Sequence, residues 1–345
     1  MVRYFASSPL RARLNDIVGQ VLAGHPARFM QESIGKFIFF NEFNNLRAGW
    51  RIAIFLVLLS SVYSLLSILL QKFGILSQLA VVVLYYGCVG LATFVNLHFV
   101  DKRPFKAVGL SLQKRAIVEI AQGVGIGFAL VAGIFVVQYS LGFVEPSLRN
   151  WALEDLARSL AAILLFFAIA AFGEELMFRG YVFQTLIEGT NPRTAIIVMS
   201  IFFGGVHVAN PNVGLLSLPN ALLAGLNVIL AGVWFSFAYL KTKSLWFPAA
   251  LHISWNFSEG FLFSFPVSGF NYGDSSLFSL EQSGPSWVTG GPFGPEGGIL
   301  VTAALFGSMI FILKSPHIRV GEEAWNRQEF LLSSLLPKNG SRKKL

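Results

Sequence analysis

The stretch Ala161-Ala162-Ile163-Leu164-Leu165-Phe166-Phe167-Ala168-Ile169-Ala170-Ala171-Phe172-Gly173-Glu174-Glu175-Leu176-Met177-Phe178-Arg179-Gly180 decides how the chain is read. It belongs to an apolar run over about 158–188, more than long enough at about 1.5 Å per helical residue to cross a hydrocarbon core of about 30 Å. The run nevertheless carries two adjacent carboxylates and an arginine. Ionisable side chains within a membrane helix are costly, so each asks for a reason. Glu175 and Arg179 are four apart and share one helix face, with the acid on the favourable N-terminal side, so they can neutralise each other. Glu174 points about 100° away and has no intrahelical partner.

The rest of the chain has the same character. Of 345 residues, 54% are hydrophobic and only 13% charged, with a mean hydropathy of +0.63. Soluble domains carry about 25% charged residues, so this surface is built for lipid. Apolar runs cover about 50–71, 76–99, 116–142, 158–188, 194–209, 214–240, 244–264 and 298–313. They predict an all-α, polytopic transmembrane bundle of about eight spans. The fifth run is short for a span, and the fourth is long enough to tilt or protrude.

Loop charge alternates with this count. Lys102, Arg103, Lys106, Lys114 and Arg115 fall in one loop, Arg193 in another, and Lys241 and Lys243 in a third. Loops on the opposite side are poor in base, and the Gly/Ser/Pro-rich 265–297 segment contains Asp274, Glu281 and Glu296 with no Lys or Arg. The positive-inside rule then puts both termini in the cytoplasm and the chain in the cell membrane. The excess of 26 Lys+Arg over 18 Asp+Glu reports topology in this pattern and implies no nucleic-acid partner. No charged n-region or cleavage site precedes the first apolar run, so no cleavable signal peptide is expected. The single Cys88 excludes an intramolecular disulfide.

Three parts follow: a cytoplasmic or interfacial segment at 1–49, the bundle at 50–313, and a basic tail at 314–345 ending in Arg342, Lys343 and Lys344. Leu10, Leu14, Ile17 and Val21 recur at helical spacing, as suits a helix lying on the membrane surface. The 265–297 segment reads as structureless by composition, a mobile outer loop.

Polar groups in two further runs complete the picture. One run contains Phe203-Gly204-Gly205-Val206-His207 and another Leu251-His252-Ile253-Ser254-Trp255-Asn256, where His252 and Asn256 share a face. Measured from the cytoplasmic helix ends, Glu174, His207, His252 and Asn256 lie at depths of roughly 21, 20, 12 and 18 Å, so the three helices can bring them together. A carboxylate shielded from water is a stronger base, and a second His can orient an attacking water. A His and an Asn one turn apart can donate to a developing oxyanion. Glu174, His207 and His252 could equally hold zinc with a position left for water, although no H-E-x-x-H motif is present and Asn is an unusual ligand. His25 and His317 read as solvated, His98 as interfacial, and Glu259 as a neighbour of Asn256 near the helix end.

These residues resemble the CAAX protease and bacteriocin-processing family of intramembrane proteases, also called the Abi family. Its pattern, EExxxR, then FxxxH, then HxxxN, stands here as Glu174-Glu175…Arg179, Phe203…His207 and His252…Asn256, in order on successive apolar runs. The resemblance covers about 155–262. It implies a peptidase in which Glu174 is the general base, His207 helps to activate water, and His252 and Asn256 stabilise the oxyanion. Glu175, Arg179 and Phe203 become supporting residues, and the substrate is a peptide or protein, in some members prenylated. The resemblance leaves a metal open; no cofactor is expected, because Asn256 suits a donor better than a ligand, and zinc on Glu174, His207 and His252 is the alternative. Two other readings remain open: a non-catalytic immunity or scaffolding protein of the same fold, and a transporter using Glu174 and His207 as a proton relay. No internal repeat of the transporter type is visible.

Overall fold

The computed structural model describes residues 36, 38–41, 45–75, 77–208 and 210–319. The candidate surface helix at 10–21, His25 and the basic end of the tail lie outside the described residues. The eight apolar runs all fold as helix. They are α1 (Ala48–Lys72), α2 (Gln78–Val95, continued by a wide π turn Asn96–Val100), α3 (Lys114–Ser140), α4 (Leu153–Glu175), α5 (Val182–Gly189), α6 (Pro192–Val208), α7 (Leu218–Thr242), α8 (Trp246–Phe257) and α9 (Ile299–Lys314). The fourth run is thus two helices, α4 and α5, joined by a π turn over Leu176–Tyr181.

Five of these segments are long and apolar enough to cross a membrane: Ala48–Lys72, Gln78–Val100, Lys114–Ser140, Leu153–Gly189 and Leu218–Thr242. The chain is therefore an integral membrane protein, an all-α bundle. α6 and α9 are shorter apolar helices. α8 is the central one, packed against α3, α4 and α7.

The apolar surface points both ways, as a bundle in lipid requires. Phe247, Leu251 and Trp234 are buried, whereas Leu65, Ile68 and Ile117 are largely exposed on the outside. α3 and α8 approach closely enough to need glycine. A Cβ on Gly123 would lie 2.7 Å from Phe247 O, and one on Gly127 would lie 2.6 Å from Leu251 O. This is the small-xxx-small packing of membrane helices, and it fixes α8, which carries His252 and Asn256.

At the end of the bundle that carries the basic loops, buried Arg51 of α1 reaches Asp101 at 2.6 Å and Glu188 of α5 at 2.7 Å. Arg103 pairs with the same Glu188. At the opposite end, the 265–297 segment differs from its reading as structureless. Phe278–Gln282 (β2) pairs antiparallel with Val144–Leu148 (β1), Val144 opposite Gln282 and Leu148 opposite Phe278. The glycines serve tight turns. Gly294 has φ +86, and a Cβ there would sit 1.9 Å from Pro266 O. Composition gave no sign of this, because the strand's partner lies more than a hundred residues away.

Candidate active site

Glu174 sits in the last turn of α4, directly before the chain opens into the π turn, where Gly180 departs from helical geometry at ψ −108. Wide turns of this kind recur at functional sites because they re-aim the side chains around them. Gly173 shapes the other side. A Cβ there would lie 2.2 Å from the Tyr86 ring, so the glycine lets Tyr86 of α2 lie against α4. The Tyr86 hydroxyl then donates to Glu174 Oε1 at 3.0 Å.

The second oxygen, Glu174 Oε2, faces two imidazoles: His207 Nε2 and His252 Nε2, each at 3.9 Å. The far nitrogen of each ring is fixed. His207 Nδ1 lies 2.8 Å from Phe203 O, one turn earlier in α6, and His252 Nδ1 lies 3.0 Å from Glu175 Oε1. A carbonyl and a carboxylate can only accept, so both Nδ1 atoms carry hydrogen and both Nε2 edges turn toward Glu174.

Glu175 is therefore more than a partner for arginine. Its Oε1 also accepts from Arg179 Nη1 at 2.9 Å, and the pair is buried, 0% and 1% exposed. Arg179 donates a second bond to Gly232 O at 3.0 Å. Its guanidinium lies 4.7 Å over Phe203 and 5.1 Å over Phe235, a cation–π arrangement that suits a cation removed from water. Phe235 in turn stacks on His252 at 4.4 Å. Arg179, Glu175 and His252 thus form one hydrogen-bonded chain behind Glu174.

These groups open onto a cavity of about 430 Å³. Glu174, Phe203, His207, His252 and Asn256 all line it, while Glu175 and Arg179 stand behind its wall. Most of the remaining wall is apolar and aromatic, including Phe167, Trp234 and Trp255. A polar end is supplied by Asn210, Ser268, Tyr272 and Glu296, all from connecting segments. Burial, then Glu174 and Glu296, push the Tyr272 hydroxyl up to about 12. Glu259 is wholly buried and does not line the cavity. His98 is exposed and stacks on Phe94 at 5.6 Å, and His317 is exposed at the far end of α9.

Among the described residues, no group of three His, Cys, Asp or Glu side chains is spaced to hold a metal ion. The two Nε2 edges and Glu174 Oε2 converge, but the 3.9 Å separations exceed the roughly 3.3 Å between ligands of a tetrahedral zinc with bonds near 2.0 Å. As placed, the three do not fit that role.

Sequence reasoning missed three features. Tyr86 lies in an ordinary-looking apolar run, and its signal was a phenol in a span, where the hydroxyl needs a partner. The Glu175–His252 bond joins helices 77 residues apart and left no local trace. Glu296 looked like one acid of a polar loop.

Residues 156–258 match the sequence profile of the Rce1-like family, type II CAAX prenyl endopeptidase Rce1-like. Two curated proteins of Bacillus subtilis (strain 168) are similar. "Uncharacterized protein YyaK" is 25% identical over 195 residues, 56% of this chain and 64% of that one. "Putative membrane peptidase YdiL" is 29% identical over 119 residues, 34% of this chain and 44% of that one. The chain thus spans less than two thirds of either relative. No solved structure matches.

Proposed function

We propose that the chain, whose residues 156–258 match the Rce1-like family, is an intramembrane endopeptidase of the CAAX protease and bacteriocin-processing type, hydrolysing peptide bonds with water activated by Glu174. The observation that carries this reading is the convergence of His207 Nε2 and His252 Nε2 on Glu174 Oε2, 3.9 Å from each. A water held among these three edges would hydrogen-bond to a carboxylate that takes its proton and to a ring that orients it. The atoms then balance: water's oxygen bonds the scissile carbonyl carbon as one of its protons passes to Glu174, and Glu174 returns that proton to the amide nitrogen as the C–N bond breaks, leaving a carboxyl group and an amine.

The two histidines divide the work by their outer partners. His207, tied to the neutral Phe203 carbonyl, presents an acceptor edge to the water. His252, tied to the Glu175 carboxylate, can carry a second proton on Nε2, which makes that edge a donor toward the oxyanion. Asn256, one turn further along α8 on the same cavity wall, donates to it as well. No metal is needed in this scheme. The substrate is a peptide or protein, prenylated or not, that enters the cavity from the membrane. The protein resides in the cell membrane with both termini cytoplasmic.

The test compares C-terminal and juxtamembrane fragments in cells carrying wild type with those in cells carrying Glu174→Gln. The fragments should disappear in the variant, and purified Glu174→Gln and His207→Ala should each lose at least about a hundredfold in hydrolysis while staying folded. Near-wild-type hydrolysis by either variant would remove the assignment.

A further inference from the structure

Glu296 presents its carboxylate to the same cavity as Glu174, yet the mechanism does not use it. It is held there by design of the surrounding chain. Ser268 donates to Glu296 Oε2 twice, from its backbone N at 2.9 Å and from its hydroxyl at 2.6 Å. Ser268 itself stands in a tight turn closed between Val267 and Phe270, with φ 48. Asn210 of the neighbouring segment donates to Ser268 O at 2.7 Å, and Asn227 of α7 donates to Glu296 O at 2.8 Å. Ser268 thus holds the carboxylate itself, while Asn210 and Asn227 fix the two backbones that carry it, so the group keeps one position, as a recognition group must.

Its surroundings lack a counter-charge. No Lys or Arg lines the cavity among the described residues, and Glu296 makes no ion pair among them. The nearby ionisable groups supply no cation: Glu174 shares the cavity, and the wholly buried residue nearby is another acid, Glu259. A fixed carboxylate on an aromatic-walled cavity, with no cation beside it, is complementary to a ligand that brings one. Two donors on Oε2 leave the other oxygen available to such a ligand.

We propose that Glu296 is a specificity-determining residue that pairs with a cationic group of the substrate, a lysine or arginine side chain near the scissile bond. This deepens the peptidase reading and rests on it. The aromatic walls would take the apolar stem of that side chain while its charged head meets Glu296, as long basic side chains do at apolar surfaces.

The test uses the full chain in lipid nanodiscs with a fluorogenic peptide series that differs at one position: lysine, norleucine or glutamate. The readout is the ratio of kcat/KM for the lysine peptide over the norleucine peptide. It should be about tenfold in wild type, fall toward one in Glu296→Gln, and drop below one in Glu296→Lys, where the glutamate peptide should become the best of the three. In parallel, fluorescence anisotropy measures binding of the labelled lysine and norleucine peptides to Glu174→Gln protein with and without Glu296→Gln. Hydrolysis of all peptides without preference for lysine would overturn the cation site and leave the peptidase reading intact. Lysine-selective binding that depends on Glu296, with no hydrolysis by wild type, would keep the site and overturn the peptidase reading. A lysine preference that survives Glu296→Gln in both assays would overturn the assignment to Glu296.

Discussion

The hydroxyl of Tyr86 lies 3.0 Å from Glu174 Oε1 and leaves Oε2 to the two histidines. One oxygen of the carboxylate is thus anchored to α2 while the other is turned to the cavity. Tyr86→Phe removes only the anchor. On the proposed mechanism the carboxylate then rotates among several positions, and kcat should fall by about ten- to a hundredfold with little change in KM. Steady-state kinetics of the purified variant decide it. Unchanged kcat would mean that the histidines alone orient Glu174.

The contact depends on Gly173, against which the Tyr86 ring lies. Gly173→Ala places a methyl where the ring now is and must push Tyr86 away from Glu174. That variant should reproduce the kinetic defect of Tyr86→Phe and add a loss of thermal stability. Combining the two substitutions should cost less than the sum of the single losses, because both act on one contact. Full additivity in the double-mutant cycle would separate the two residues.

Glu175 holds both Arg179 and His252, so the two ways of breaking the cluster should differ. Arg179→Ala leaves a buried carboxylate without its cation and should cost about 3–5 kcal/mol in stability, seen as a lower yield of folded protein. Glu175→Gln keeps the volume but loses the carboxylate at His252 Nδ1. Its folded fraction should hydrolyse peptides at least about tenfold more slowly, as in other sites where the group orienting a histidine is neutralised. A folded Arg179→Ala protein that had lost activity alone would move Arg179 into the reacting group's immediate surroundings.

The helical bundle was legible because a membrane span is a local property: length and apolarity of one run settle it. The meeting of Glu174, His207 and His252 was also within reach, since depth along a helix follows from residue count. What escaped depended on contacts between elements. The Gly123 and Gly127 seam against α8, the Tyr86 anchor and the pairing of β1 with β2 all join segments distant in sequence. The break at Gly180 turns one long apolar run into two helices, and periodicity alone could not separate a kinked span from a tilted one. Glu296 stayed hidden because loop composition says nothing about which side chain a fold turns inward.

Orientation is tested by cysteine labelling in a Cys88→Ser background. Asp274 is the position to use in the 265–297 segment, since its side chain is fully exposed; Ser276 nearby is wholly buried. A cysteine replacing Asp274 should react with an impermeant reagent added outside the cell, and one replacing Lys106 should react only after permeabilisation. The reverse pattern would place the termini outside.

The last prediction concerns zinc. The separations of 3.9 Å around Glu174 Oε2 suit a shared water better than a shared metal ion, whose bonds of about 2 Å draw ligands closer together. The purified enzyme should therefore carry substoichiometric zinc and keep its activity in EDTA. Asn256→Asp sharpens the choice. A carboxylate on that cavity wall would strengthen a metal site by adding a ligand, whereas in the metal-free scheme it replaces a donor with a charge that repels the oxyanion. The variant should lose at least about a hundredfold in kcat, with no recovery on adding zinc. One tightly bound zinc per chain, lost together with activity on chelation and restored by adding it back, would turn the mechanism into that of a metallopeptidase and leave the peptidase assignment standing.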